Sequence, residues 1–295
     1  MVLSGFEQDR LRLAAFAELE LLSEARGFAT YSELTNFELE GQKFPLIDQS
    51  RGIKNRADFD ETIAIVSSTN GPYGDHIGDD GLFRYAPRTG NSATGDNRKL
   101  QAAMLARKPI IFFEKTEPTI YVPVVPAFVV GQEDEFFVIS LGDHAWRSPE
   151  TLAKQSEIDR RYVLQEVKRR VHQPVFRARV IVAYQAKCAI CQLAHPELLD
   201  AAHIVADSQE GGIAHVTNGL ALCKLHHAAY DNDFLGISPD YFVKINADLL
   251  AEVDGPMLKH GIQEMDGIRL TLPKRKADWP APDALDSRFT AFHKV

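Results

Sequence analysis

The sequence predicts an α+β protein of two domains, a curved β domain followed by a smaller domain built around cysteine and histidine side chains. Three observations support this class. Residues 41–141 hold short β-type runs separated by Gly, Pro, Asn and Asp, a texture typical of a strongly curved sheet or barrel. A long helical pattern follows from Ser148, and every cysteine lies between Cys188 and Cys223. The length of 295 residues suits about two domains.

Two helices are expected within the N-terminal domain. Residues 6–26 carry apolar side chains at helical spacing, which predicts an amphipathic helix. Asp96 is the expected N-cap of a second helix, which ends before Pro109. The expected strands are FPLI, TIAIV, LFRY, PIIFFE, TIYVPVV, AFVV and EFFVIS.

A long helix is expected to join the two domains. Ser148 and Pro149 are typical first residues of a helix, and the helical pattern continues until Pro174. The predicted boundaries are a first domain at 1–145, a basic linker helix at 146–174 and a second domain at 175–295.

The second domain is expected to begin with a strand, a turn and a helix. The segment LLDAAHI is a short strand that carries His203, and a Gly-Gly pair then turns the chain. Asn218 is expected to open a helix that runs to Asp231. The tail from Gly236 alternates short apolar runs with Pro-rich turns, which predicts a few strands and a terminal helix.

The composition is that of an ordinary soluble protein, with 45% hydrophobic and 25% charged residues. No apolar run reaches membrane-spanning length, and the N-terminus lacks the pattern of a signal peptide. A cytoplasmic protein without a membrane partner is therefore expected. Three cysteines cannot all pair with one another, which favours metal ligation over disulfides.

A basic belt lies beside the cysteines, although the net charge of the chain is −8. Between Thr151 and Lys187 the cations outnumber the acids, of which there are only Glu157, Asp159 and Glu166. Such a belt suits a phosphate backbone, and the alternative is a solvated linker helix. Its members are Lys154, Arg160, Arg161, Lys168, Arg169, Arg170, Arg177, Arg179 and Lys187.

Two pairs of metal-ligating residues have the spacing of a zinc knuckle. Cys188 and Cys191 form the first pair, and Cys223 and His226 form the second, each with a two-residue spacer. A structural zinc ion takes four Cys or His ligands in a tetrahedron, and the spacing lets each pair close on one ion. His195 is an alternative fourth ligand, although it lies close to Cys191 in an expected loop.

A second set of polar residues, His203, Asn218 and His227, is interleaved with the knuckle. His226 and His227 are adjacent on the expected helix, so their side chains point about 100° apart. One of them can serve the structural metal and the other a second metal. A neutral histidine can accept a proton at pH 7, and a divalent metal can stabilise developing charge. The set therefore suits hydrolysis.

These residues resemble the HNH family of nucleases, whose fold is a ββα-metal unit. The resemblance rests on His203 in AAHI, Asn218 in NGLALC and His227 in LHHAAYD. It implies that His203 is the general base that activates water and that Asn218 orients the loop carrying this base. It also implies that His227 holds a divalent ion, Mg²⁺ or Mn²⁺, on the scissile phosphate. His226 occupies the place of a second Cys in the family.

One position departs from the family pattern. Many members place an Asp directly before the base, as a metal ligand, where this chain has Ala202. Asp200 lies two residues earlier, on the same face of a strand as Ala202, and is the expected acidic ligand. Asp231, one turn beyond His227, is the alternative.

The N-terminal segment resembles the SRA domain, a PUA-like barrel that flips a modified cytosine into a pocket. The resembling features lie in GPYGDHIGDDGLFRYAPRTG and in the DNR that enters a helix. A flipped base needs aromatic faces for stacking and an acceptor for the cytosine amino group. By this resemblance Tyr73 and Tyr85 are the stacking pair and Asp75 is the acceptor.

Together the two resemblances predict a modification-dependent restriction endonuclease of SRA-HNH type. The expected partner is double-stranded DNA carrying 5-methylcytosine or 5-hydroxymethylcytosine, with Arg169 and Arg170 on its phosphates. One HNH site cuts one strand, so a homodimer is expected, associated with the nucleoid of a prokaryote. The alternatives are a non-cutting reader with a structural zinc module, and a non-specific nicking nuclease with an unrelated N-terminal barrel.

Overall fold

The computed structural model of the chain forms two compact units, Met1–Val175 and Phe176–Val295. The predicted linker helix lies almost entirely outside the described residues and stays a prediction. No helix in the described ranges is long and apolar enough to cross a membrane. The structure describes residues 2–49, 51–67, 74–78, 80–86, 95–133, 135–142, 171–206, 209, 212–253 and 255–293.

The first unit opens with a helix, α1 (Gly5–Ala25), which confirms the helix predicted there, although Leu13 and Leu21 are exposed and Gln8 and Arg12 are buried. The Ser4 side chain caps it by accepting a hydrogen bond from the Glu7 backbone N–H. The inner face of α1 is buried against the sheet domain and includes Ala15, Phe16 and Leu19.

Arg12 is a charged residue on this buried face of α1. Its Nη1 donates to the carbonyl oxygens of Thr62 at 2.9 Å and Pro109 at 2.8 Å, and its Nη2 lies 3.7 Å from a carboxylate oxygen of Glu61. Burial lowers the pKa of Arg12 to about 10, so the side chain is charged at neutral pH. A buried charge is tolerated because it is paired and hydrogen-bonded, and these bonds fix α1 on the domain.

Short strands and two helices follow α1. The N-cap of the second of these helices, α3 (Asp96–Leu105), is Gly95 rather than the predicted Asp96. Asp96 lies in the first turn, where a carboxylate interacts favourably with the helix dipole. The elements are β1 (Ala29–Thr30), α2 (Tyr31–Thr35), β2 (Glu38–Leu39), β3 (Gln42–Lys43), β4 (Ile53–Lys54), β5 (Ala64–Ser67), β6 (His76–Ile77), β7 (Phe83–Tyr85), α3 (Asp96–Leu105), β8 (Ile110–Glu117), β9 (Ile120–Glu133) and β10 (Phe136–Leu141).

All of these strands except β2 and β3 form one mixed sheet in the order β4-β5-β8-β9-β10-β7-β6, with β1 added to β9, and β2 and β3 pair separately. The β5–β8 pair is parallel and the other pairs are antiparallel. The central strands are almost wholly buried because both faces are covered, and they read as continuous apolar runs. The α+β class is confirmed.

The two ends of this sheet approach each other through side chains. Ser67 on β5 donates to Asp75 Oδ2 at 2.6 Å, just before β6. A Cβ built on Gly52, which precedes β4, would lie 2.6 Å from the Tyr85 hydroxyl oxygen on β7. The sheet is therefore strongly curved. The prediction also allowed a closed barrel. Among the described residues no strand pairing closes one, because β4 and β6 are the two edge strands of the sheet.

The second unit contains short helices and two small antiparallel strand pairs, β11 (Leu199–His203) with β12 (Gly219–Cys223) and β13 (Leu235–Ile237) with β14 (Val243–Ile245). The predicted strands and terminal helix of the tail are confirmed. The elements are α4 (Gln173–Ala183), β11 (Leu199–His203), β12 (Gly219–Cys223), α5 (Lys224–Asp231), β13 (Leu235–Ile237), β14 (Val243–Ile245), α6 (Ala247–Ala251), α7 (Pro256–Gly261) and α8 (Pro282–Phe292), with 3-10 turns at Pro196–Leu198, Val216–Asn218, Gln263–Met265 and Lys276–Asp278.

A ββα unit replaces the strand, turn and helix predicted at the start of this domain. The prediction that a helix begins after Asn218 is wrong, because Gly219–Cys223 is the strand β12 and the helix begins at Lys224. In the β11–β12 ladder, Leu199 is opposite Cys223 and His203 is opposite Gly219. All of β12 is buried, and a short run that is apolar on both faces has no periodicity to separate a strand from a helix.

Candidate active site and metal knuckle

Three thiols and one imidazole meet where β12 passes into α5. Cys191 Sγ is 3.9 Å from Cys223 Sγ, and His226 Nδ1 is 3.5 Å from Cys188 Sγ and 3.3 Å from Cys223 Sγ. The four ligand atoms all lie within 4.8 Å of one another. Sulfur ligands about 2.3 Å from a tetrahedral zinc ion are about 3.8 Å apart. The quartet, Cys188, Cys191, Cys223 and His226, therefore fits a zinc knuckle.

The hydrogen bonds around the quartet also suit a metal site. His226 Nε2 lies 2.9 Å from the carbonyl oxygen of Gly261, and this bond orients the ring so that Nδ1 faces the thiols. The hydrogen bond between Cys191 and Cys188 lowers the pKa of Cys188 and raises that of Cys191, so a proton lies between two sulfurs that would both bind a metal as thiolates. His195, the alternative fourth ligand, does not belong to the cluster of described residues.

Asn218 holds the loop that follows His203. Its Nδ2 donates to the carbonyl oxygens of Val205 at 2.9 Å and Ile213 at 3.1 Å, and its Oδ1 accepts from the Val205 N–H at 2.9 Å. The Ile204 N–H donates to the Asn218 carbonyl oxygen at 3.0 Å. Both polar atoms of the buried Asn218 side-chain amide are thus hydrogen-bonded. Through these bonds, the turn that precedes β12 fixes the position of the chain that follows His203.

The His203 ring is stacked on an aromatic residue of α4. The centroids of His203 and Phe176 are 4.0 Å apart with an interplanar angle of 19°. Gly219 is opposite His203 in the ladder and makes room for the Phe176 ring. A Cβ on Gly219 would lie 2.9 Å from Phe176 Cζ and 2.4 Å from Val180 Cγ2. Gly219 has an ordinary extended backbone, so what the position requires is space.

We therefore expect Gly219→Ala to destabilise the second unit by about 1–3 kcal/mol, the usual cost of overpacking a core, and to lower cleavage by displacing Phe176 from His203. Urea unfolding and a cleavage assay measure the two effects. Gly255→Ala is the control, because a Cβ on Gly255 meets nothing within 4 Å. Equal stability of the two variants would contradict this account of Gly219.

His227 lies between two carboxylates and away from the quartet. Its Nδ1 is 3.4 Å from Asp200 Oδ2 and its Nε2 is 3.2 Å from Asp231 Oδ2. The bond with Asp200 raises the pKa of His227. The same bond, reinforced by Lys224, holds the pKa of Asp200 well below its usual range. Lys224 Nζ donates to both Asp200 oxygens at 2.8 Å, and Arg177 Nε is 3.7 Å from Oδ1.

Both acidic candidates thus contact His227, but they do so at opposite ring nitrogens. One ring nitrogen binds one ion, so a metal on Nδ1 would have Asp200 beside it and a metal on Nε2 would have Asp231. The other carboxylate would then accept the remaining ring N–H and orient the imidazole. The Asp231 side chain is 57% exposed and that of Asp200 is 25% exposed, so Asp200 has the more protected position.

The residues predicted to read a base lie in the first unit, and only two of them are described. Asp75 is buried, accepts from Ser67 and from the Ala86 N–H at 2.8 Å, and has its pKa raised by burial. Tyr85 is also buried. Tyr73, Arg169 and Arg170 lie outside the described residues.

Two neighbours of the site residues were not predicted from the sequence, namely Phe176 beside His203 and Lys224 beside Asp200. Arg177, predicted as a member of the basic belt, also lies beside Asp200. Lys224 precedes His227 by three residues, which places both side chains on one face of α5. This spacing could have predicted that Lys224 lies near His227. Nothing in the sequence links Phe176 to His203, because the two meet only when α4 packs against β11.

Comparisons with known proteins agree with the geometry of the second unit. A family model described as HNH endonuclease matches residues 188–238, the segment that holds the quartet, His203, Asn218 and His227. No curated protein matches the chain.

Two restriction endonucleases are among the solved structures that are similar to the chain. One is the modification-dependent TagI restriction endonuclease, with 16% identity and a TM-score of 0.31, covering 82% of this chain and 85% of that chain. The other is the Type IV phosphorothioation-dependent restriction endonuclease ScoMcrA, with 18% identity and a TM-score of 0.27. That likeness covers 62% of this chain and about half, 51%, of the other.

Proposed function

We propose that this protein, an endonuclease of the HNH type by its domain at residues 188–238, cuts double-stranded DNA that carries a modified cytosine. The observation that supports the cutting step is one ββα unit bearing all three expected residues. His203 ends β11, Asn218 lies in the turn before β12, and His227 lies on α5. Asp200, on β11 with His203, contacts His227.

In this proposal His203 is the general base. A neutral imidazole accepts a proton from water at pH 7 as the water attacks the phosphorus. The stacking of Phe176 on the ring and the three side-chain hydrogen bonds of Asn218 fix where this base lies. Such preorganisation raises the rate of the reaction, because the base is already in place when the substrate binds.

The divalent ion, Mg²⁺ or Mn²⁺, would be held by His227 and Asp200, with Asp231 as the alternative acid. In the described part of the chain, the quartet is the only group of three or more possible metal ligands, so His227 and Asp200 would offer the ion two protein ligands. This suits magnesium, which proteins often hold by one or two carboxylates plus substrate phosphates. A bound ion supplies positive charge that stabilises the phosphate and the leaving oxygen. Lys224 must release Asp200 for this ligand to become free.

Recognition of the modified base is assigned to the first unit by its resemblance to SRA domains. The buried Asp75 carboxylate, held by Ser67 and the Ala86 N–H, would accept a hydrogen bond from the amino group of a flipped cytosine. The base would be 5-methylcytosine or 5-hydroxymethylcytosine, stacked on Tyr73 and Tyr85. Zinc is the proposed ion of the quartet, and a homodimer would supply one active site for each strand.

The test is digestion of matched unmodified, 5-methylcytosine and 5-hydroxymethylcytosine duplexes with Mg²⁺ or Mn²⁺. Cutting restricted to a modified duplex supports the proposal. Equal cutting of all three would indicate a non-specific nicking nuclease instead. Selective binding without cutting would indicate a reader in which the HNH domain has only a structural part.

Tyr73→Ala and Tyr85→Leu carry the same test to the base pocket. Stacking on an aromatic side chain is worth about 1–3 kcal/mol per base, so each variant should lose about 5- to 150-fold of its preference for the modified duplex. A competition titration at fixed salt measures the ratio, which a loss of folded protein does not change. A ratio equal to that of the wild type would remove these tyrosines from the pocket.

A further inference from the structure

An exposed basic loop precedes the terminal helix of the second unit. Lys274, Arg275 and Lys276 are consecutive and exposed, and the side chain of Arg275 is 73% exposed. The loop lies outside residues 188–238, the range that the HNH family model matches. Three adjacent cations on an acidic chain point to a negatively charged partner.

This loop lies beside the turn that carries Asn218. The 3-10 turn Lys276–Asp278 packs against the 3-10 turn Val216–Asn218. The Ala281 N–H donates to the Thr217 carbonyl oxygen at 2.9 Å, so the chain just after the cations is bound to the residue just before Asn218. The positive charge is therefore placed next to the segment that fixes the loop following His203.

The loop is also held in shape. The Trp279 indole N–H donates to the Pro273 carbonyl oxygen at 2.8 Å, which closes the segment on both sides of the cations. The Tyr241 hydroxyl donates to the Pro280 carbonyl oxygen at 3.2 Å, and the Tyr241 and Trp279 rings meet edge to face at 5.8 Å. A preorganised loop loses little conformational entropy when it binds.

The three cations differ in how far they are neutralised. Arg275 pairs with Asp278, with Nε 3.1 Å and Nη2 3.3 Å from the carboxylate oxygens. Lys276 Nζ lies 6.0 Å from the centroid of the Trp279 ring. Within the described ranges, neither Lys274 nor Lys276 forms an ion pair with a carboxylate. These two lysines are therefore available to an external anion.

We propose that residues 274–276 form a phosphate-binding loop that holds the DNA backbone beside the HNH active site. The inference rests on the proposed function, since it takes the substrate to be DNA. Contacts to phosphates set the register of a protein on a duplex without reading its sequence. They also make binding depend on salt, because each neutralised phosphate releases counterions.

The test is the salt dependence of DNA binding by the full chain without added Mg²⁺ or Mn²⁺. For a variant with Lys274→Ala and Lys276→Ala, the slope of log K against log salt should fall in magnitude by about 1.8, which is about 0.9 for each lost phosphate contact. The weakening should be the same factor for modified and unmodified duplexes, because phosphates are common to both.

Lys259→Ala is the matched control, because Lys259 is an exposed cation on α7 and its loss changes the net charge in the same sense. An unchanged slope in the double variant, or an equal change per charge in Lys259→Ala, would overturn the proposal. Digestion by the wild type is measured separately. A reduced slope in a protein that never cuts DNA would leave the loop assigned and reject the proposed catalytic function.

Discussion

Replacing His203 with alanine should lower the rate of DNA cleavage by about 10²–10⁴-fold, the usual contribution of a general base. The reason is that the imidazole acts on water, whereas the quartet and the bonds of Asn218 hold the fold around it. Single-turnover cleavage of a modified duplex with Mg²⁺ measures the rate. Binding to the same duplex without added Mg²⁺ should stay within a few-fold of the wild type.

The control for this variant is His195→Ala, which removes an exposed histidine of the same unit that lies outside the metal quartet. It should cut at the wild-type rate. A His203→Ala protein that cuts nearly as fast as the wild type would show that another group takes the proton. A loss of folded protein would appear in the binding titration, so it is distinguishable from a loss of chemistry.

Replacing Cys188 or Cys223 with serine should unfold the second unit. Structural zinc contributes about 10–16 kcal/mol in zinc-finger peptides, which is as large as the whole free energy of unfolding of a typical domain, about 5–15 kcal/mol. Both sulfurs are buried, so their loss cannot be made good by water. Elemental analysis should find about one zinc per wild-type chain and much less in each variant.

Circular dichroism and hydrogen exchange should place this unfolding in the second unit and leave the sheet of the first unit protected. His195→Ala again serves as the control, because it tests the alternative fourth ligand and should keep its zinc. A metal-free preparation of the wild type with the same unfolding temperature as the untreated protein would contradict the zinc-knuckle assignment.

The candidate metal ligands can be proposed from the sequence because their signal is local. Two-residue spacers allow few arrangements, and adjacent histidines on a helix must diverge, so their spacing alone assigns His226 and His227 to different sites. The structure brings the quartet together and places Asp200 against His227. These contacts follow from short stretches of chain, where geometry is fixed by a turn of helix or a strand pair.

The features that cannot be predicted depend on distant parts of the chain. The sequence favours a helix over Gly219–Cys223 because a run buried on both faces has no periodicity, and only its pairing with β11 makes it a strand. The stacking of Phe176 on His203 depends on how α4 packs. The sequence predicts a strongly curved sheet, but it does not indicate that Ser67 on β5 and Asp75, just before β6, are the residues that meet, because their strands are not neighbours in the ladder.

One peptide bond joins His226, which closes the buried quartet, to His227, which faces Asp200. Adjacent side chains on a helix point about 100° apart, so any rotation of α5 about its axis would move His226 and His227 together. The contacts of the His226 imidazole with the quartet therefore also fix the direction in which the His227 imidazole points. If the quartet holds zinc as proposed, loss of that ion would also change the direction of His227 and would abolish cleavage, although the ion itself does not contact the substrate.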